Sequence, residues 1–156
     1  MGERKLSEML AIVAVIDPDI YGTGTPTQTS SEIDMQMHRE IMFIFQTGDI
    51  GSDTATMELR IYEGTDEGHG TAGEAWVLLK AATDLANDDD NKQVVINVRA
   101  DDLSSGYRWI KAVVKIGGTG SAVYHSLVAL ADRTRFSDAV VTSSYGDLST
   151  VDEIVA

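Results

Sequence analysis

Along much of this chain apolar and polar residues alternate with a period of two, in short runs separated by Gly, Asp, Asn, Ser and Thr. That is the pattern of strands with one buried face. Residues 56–63 set Met57, Leu59 and Ile61 against Glu58, Arg60 and Tyr62. Residues 32–37 set Ile33, Met35 and Met37 against Glu32, Asp34 and Gln36, and residues 93–100 place Val94, Ile96 and Val98 opposite Asn97 and Arg99. The longest clean alternation is 107–116. There Ile110, Ala112, Val114 and Ile116 face one way, and Tyr107, Trp109, Lys111, Val113 and Lys115 the other. Two runs do not alternate. Residues 9–16 are continuously apolar, and their β-branched content favours a buried strand over a short helix. Residues 40–46 are nearly all apolar, which predicts burial on both faces. Residues 76–79 open a further element, which 81–86 either continue or turn into a helix, and 122–131 make the last core strand.

Between these runs, 17–31 read as a long polar connection, 64–73 as a glycine-rich loop, 87–91 as a solvated turn and 117–121 as a hairpin turn. Eight strand candidates predict an all-β fold, a two-sheet β-sandwich of jelly-roll-like form, as one domain over 1–156. The predicted core is Ile33, Met35, Phe43, Phe45, Met57, Leu59, Ile61, Val94, Ile96, Val98, Ile110, Val114 and Ile116. Both ends read as extended arms, about 1–8 and 137–156. The second arm has no basic residue yet keeps Val151, Ile154 and Val155. Such side chains need a surface to cover them, on the parent domain or on a neighbour.

Composition sharpens the picture at three points. Val, Ile and Thr supply about a quarter of the residues, in keeping with strands. The absence of cysteine removes disulfides and thiolate metal sites. A formal charge of −13 makes nucleic acid and anionic membranes poor partners, because phosphate binding needs Lys and Arg. No run reaches the ~18 apolar residues of a membrane span, and the flanks of 9–16 do not suit a secretory signal peptide.

Motifs that carry chemistry are few. Gly118-Thr119-Gly120 lacks the third glycine and the strand-to-helix context of a dinucleotide site, and neither a P-loop nor a G-x-S-x-G elbow occurs. His38, His69 and His125 fall in separate elements with no metal-ligand spacing. The stretch 84–91 holds the densest cluster of side-chain oxygens; it reads as a charged solvated turn, with a weak calcium site as the alternative, since it lacks the EF-hand glycine. No catalytic residue, cofactor or metal is predicted. The face with Tyr107, Trp109 and Lys111 sets large aromatics beside charge on a side the core does not need. Together with Val151, Ile154 and Val155 it forms the predicted interface, and it predicts self-association into a homo-oligomer.

The stretch 93–112, QVVINVRADDLSSGYRWIKA, resembles small proteins of tailed bacteriophages, as do Val15-Ile16-Asp17-Pro18-Asp19 and 149–155. These are the head decoration, cement or minor capsid proteins. The resemblance implies a β-rich, non-enzymatic structural virion protein that binds the major capsid protein on the capsid exterior, after synthesis in the bacterial cytoplasm. A tail or neck component, or a module binding carbohydrate or the host surface, is the alternative.

Overall fold

The computed structural model describes residues 10–21, 27–50, 54–66, 75–86, 88–118 and 123–132. Among them run nine strands: β1 (Leu10–Tyr21), β2 (Thr27–Thr29), β3 (Ile33–Asp34), β4 (Glu40–Thr47), β5 (Thr56–Gly64), β6 (Val77–Ala81), β7 (Gln93–Arg99), β8 (Trp109–Gly117) and β9 (Val123–Asp132). They build two sheets of order β1-β9-β4-β7 and β2-β8-β5-β6, with β3 also on β8. All pairs are antiparallel, and one set of them is nested: β1 with β9, β2 and β3 with β8, β4 with β7, β5 with β6; β4 with β9 and β5 with β8 complete the two sheets. This is one long hairpin rolled into two layers, the jelly-roll path. β2 and β3 follow one another along the same edge of β8, with Thr29 opposite Val113 and Ile33 opposite Ile110. The β2–β3 side thus carries one extra residue, a bulge. Ser30 fills it: its N–H donates to the Ala112 carbonyl at 2.9 Å, and its Oγ accepts from the Ala112 N–H at 3.0 Å.

The inner faces follow the alternation. Met57, Leu59 and Ile61 of β5 and Ile110, Ala112, Val114 and Ile116 of β8 meet Ile41, Phe43 and Phe45 of β4, Ile96 and Val98 of β7, and Leu127, Ala129 and Ala131 of β9. Of the predicted core only Val94 departs, being half-buried near the start of the edge strand β7. Large side chains oppose small ones: Phe43 pairs in register with Ala129, and Ile41 with Ala131.

Several local expectations are corrected. β1 does not stop at Ile16 but runs to Tyr21. Its register with β9 shifts between Ile16 and Asp19, so Pro18 sits in a bulge of an edge strand, where its missing N–H costs no ladder bond. Within the supposed polar connection, Thr27–Thr29 adds a strand to β8. The strand expected at 32–37 shrinks to Ile33–Asp34, because the chain turns back with the Met37 N–H on the Asp34 carbonyl at 3.1 Å. β4 is buried on one face only, leaving Met42 and Ile44 half-exposed. Ala81 ends β6, and beyond it Leu85 makes a lone bridge to Met57 in place of a helix. The 117–121 stretch is not a hairpin turn, since β8 and β9 belong to different sheets. The two arms lie outside the described residues.

Two buried polar residues stand out in this core. The Glu63 carboxyl, 1% exposed, accepts hydrogen bonds from the Ser104 N–H at 2.9 Å and the Ser104 hydroxyl at 2.5 Å, tying the 103–107 turn to β5. His125 is 3% exposed and tilts against Phe45 with ring centroids 5.7 Å apart. Burial pushes its pKa down to about 4. The unfolded chain therefore takes up a proton near pH 6.5 that the folded chain refuses until about pH 4. Stability should be level above pH 6.5 and fall by about 3 kcal/mol as the pH drops from 6.5 to 4. Urea titrations of the wild type and His125→Leu across that range test this: the difference between the two stability curves should slope there, and parallel curves would refute it.

Candidate interaction face

The outer side of the β2-β8-β5-β6 sheet gathers the residues that alternation turns away from the core. β8 presents Trp109, Lys111, Val113 and Lys115, and β5 presents Glu58, Arg60 and Tyr62. Register sets them in rows: Lys111 beside Tyr62 beside Leu78, and Trp109 beside Gly64. Trp76, just before β6, lies over Gly64; a Cβ there would come within 2.9 Å of the indole ring. The glycine thus makes room for the aromatic to lie on the sheet. The Lys111 Nζ stands 4.1 Å from the Trp76 ring centroid, and the Arg108 guanidinium carbon 5.3 Å from that of Trp109, both cation–π contacts. Both tryptophans of the chain therefore share one outer face, each with its own cation.

Ion pairs fix the rim. Arg108 grips Asp34 with two parallel bonds, Nε to Oδ1 at 2.8 Å and Nη2 to Oδ2 at 2.5 Å. Burial alone would raise the Asp34 pKa; the Arg108 fork and the Gln36 N–H outweigh it and hold the carboxyl below its ordinary value. Arg60 pairs with Glu58 at 2.5 Å. Burial lowers the pKa of Lys111, opposed by the nearby charge of Glu32. At the sheet edge Val77 and Leu78 of β6 are 42% and 47% exposed. The edge itself is guarded by Lys80, whose Nζ crosses to the Asn97 carbonyl of β7 at 2.7 Å and to Asp102 at 2.6 Å. A lysine so placed discourages edge-to-edge pairing.

Of the predicted interface residues, Trp109 and Lys111 lie together on this face. Tyr107 precedes β8, in a turn closed by its N–H on the Ser104 carbonyl at 3.0 Å. Val151, Ile154 and Val155 lie outside the described residues, as does His69. Sequence reasoning did not place Trp76, Tyr62 or Leu78 here. The alternation of 56–63 already turned Tyr62 outward; the β5–β6 register that brings Trp76 and Leu78 beside it has no local signal. In the stretch 84–91, Asp89 accepts from the Ala86 N–H of the same stretch at 3.1 Å, and Asp90 accepts from the Ile50 N–H, beyond the end of β4, at 2.8 Å. Among the described residues no cluster of three His, Cys, Asp or Glu is placed to hold a metal ion, and no helix is long and apolar enough to cross a membrane.

On the opposite sheet, a shallow cleft of about 400 Å³ lies between β1, β4 and β9, lined by Pro18, Asp19, Gln46, Tyr124 and Ser126 among others. Tyr124 is 45% exposed there.

No protein-family model and no curated protein matches this chain. Among solved structures it is similar to a chain in the structure of infectious bursal disease virus, Gt strain, at 14% identity and a TM-score of 0.40. The match covers 79% of this chain and 33% of that one, so the present chain spans about a third of the other's length.

Proposed function

We propose that this chain is a non-enzymatic structural virion protein, one that binds the exterior of a tailed-phage capsid and stabilises it. Its partners are the major capsid protein and further copies of itself, with no nucleic acid, membrane or cofactor involved. The observation that carries the reading is the Trp76–Trp109 face. A sandwich that has already filled its core still sets two tryptophans and Tyr62, residue types enriched at interfaces, on one outer sheet surface beside the exposed Leu78. The phage-like sequence of 93–112 runs through β7, the Glu63-anchored turn and the first strand of that face. Jelly rolls also serve as capsid domains, a fold-level analogy that supports the reading without carrying it. Mixing the purified protein with undecorated capsids and imaging by electron microscopy tests it. The protein should add ordered density to the capsid surface, and Trp109→Ser should weaken that binding at least tenfold. A map in which the face is free of every contact would overturn the assignment.

The Tyr124 cleft favours one second reading, a carbohydrate- or host-surface-binding module. An exposed aromatic beside a carboxylate, an amide and a hydroxyl suits a sugar ring. Binding on a glycan array that disappears in Tyr124→Ala would move the assignment there.

A further inference from the structure

The outer side of the other sheet, β1-β9-β4-β7, carries an apolar surface of its own. Alternation turns Ile12 and Val15 of β1, Val128 and Leu130 of β9, Met42 and Ile44 of β4 and Val95 of β7 away from the core. Register lines them up in two rows across the sheet. Ile12 stands beside Leu130 and Met42, and Val15 beside Val128, Ile44 and Val95. Val95 is 51% exposed, and the other six are half-buried.

Polar rows flank these two. On one side lie Asp132, Glu40 and Arg99, and on the other Ser126, Gln46 and Gln93. The acidic and basic residues of the four strands are Asp17, Asp19, Glu40, Arg99 and Asp132, and none stands in either aliphatic row. Arg99 already pairs with Asp101 at 3.2 Å, and Asp132 accepts the Arg39 N–H at 3.0 Å. This pattern fits a second copy related by a two-fold axis parallel to the rows. Each strand then crosses its own counterpart in the opposite direction, and the two aliphatic rows cover one another. The charged row of one copy lies over the amide row of the other, with Glu40 over Gln46 and Arg99 over Gln93. A two-fold axis along the strands would instead set Asp132 over Glu40, carboxylate on carboxylate.

We infer that the outer face of β1-β9-β4-β7 joins two copies of this chain, sheet against sheet and strands antiparallel, which leaves the Trp76–Trp109 face to the capsid. Copies of formal charge −13 repel one another, and here the contact is made by uncharged rows with carboxylates set over amides. The four rows span about 20 by 19 Å, about 400 Å² per copy before side-chain relief and the rim are counted. Such an area belongs to the small end of specific interfaces, where association is weak and reversible. The inference builds on the virion reading, which names further copies among the partners; its readout needs no capsid, so the two fail separately.

In sedimentation velocity the full chain should run as a reversible monomer–dimer mixture with a Kd between about 1 μM and 1 mM. Ile44→Lys, which puts a charge into the aliphatic rows, should weaken the dimer about a hundredfold with an unchanged β-type circular dichroism. Gln46 is exposed, so its variants test the contact even if Ile44→Lys does not fold. Gln46→Lys sets a cation over Glu40 of the second copy and should tighten the dimer about three- to tenfold, and Gln46→Glu should weaken it by a similar factor. Thr29→Lys makes the same change of net charge at an exposed site on the other sheet and should leave the Kd nearly unmoved. Equal shifts in Gln46→Lys and Thr29→Lys would overturn the proposal, as would a wild type still monomeric at about 1 mM. Association abolished by Trp109→Ser but untouched by Ile44→Lys would also overturn it, because the copies would then meet through the other sheet.

Discussion

Phe43→Ala should lower stability by about 3–5 kcal/mol, a large share of the roughly 5–15 kcal/mol that holds a domain folded. The side chain is fully buried in β4. Its neighbours in register are Ala129 of β9 and Ile96 of β7. Truncation would set alanine beside alanine. The void cannot close, because both backbones are fixed by ladder hydrogen bonds and neither methyl can reach across. The loss should therefore fall at the upper end for such a change. Urea unfolding monitored by circular dichroism measures it; a loss below about 1 kcal/mol would mean that Phe43 is not the centre of the packing.

Gly118→Ala should cost about 2–5 kcal/mol, for two reasons that add. Gly118 has φ +84°, a conformation that alanine adopts only at a cost. A Cβ there would also stand 1.8 Å from the Thr54 carbonyl oxygen, a backbone atom that cannot swing aside. Gly106 provides the control: its φ is +88°, but nothing lies within 4 Å of the added carbon. Gly106→Ala should therefore show the conformational cost alone, about 1–2 kcal/mol. Equal losses at the two sites in thermal or urea unfolding would refute the steric part of the argument.

What could be read from the sequence was whatever period two encodes. β5, β7 and β8 stood out because each buries one face and wets the other, and the core followed from the same parity. β4 misled because Met42 and Ile44, though apolar, lie on its outer side. β1 looked finished at Asp17-Pro18 because a proline stops a regular ladder, and only the partner strand β9 allows the bulge that carries the strand onward. β2 was hidden in Thr and Gly residues with no hydrophobic alternation, held in place by β8. The glycines at 117–120 announced a change of direction but not which sheet the chain would enter next. The site divides in the same way. Trp109 and Lys111 were legible as a face because they share a strand, whereas Trp76 joins them through a loop and a glycine twelve residues away.

The nested pairing also dictates an order of assembly. β5 and β6 are near neighbours along the chain, but β1 must find β9 more than a hundred residues later. Closing loops of that length costs entropy before any contact repays it, so folding should be slow for a domain of this size. On the ribosome, β1 is the first of the described strands to emerge and waits with an open edge until the last of them, β9, has been made. β4 and β7 can pair before that, but β1 joins the sheet only through β9, so termination before Val123 leaves β1 without its partner and exposed to aggregation.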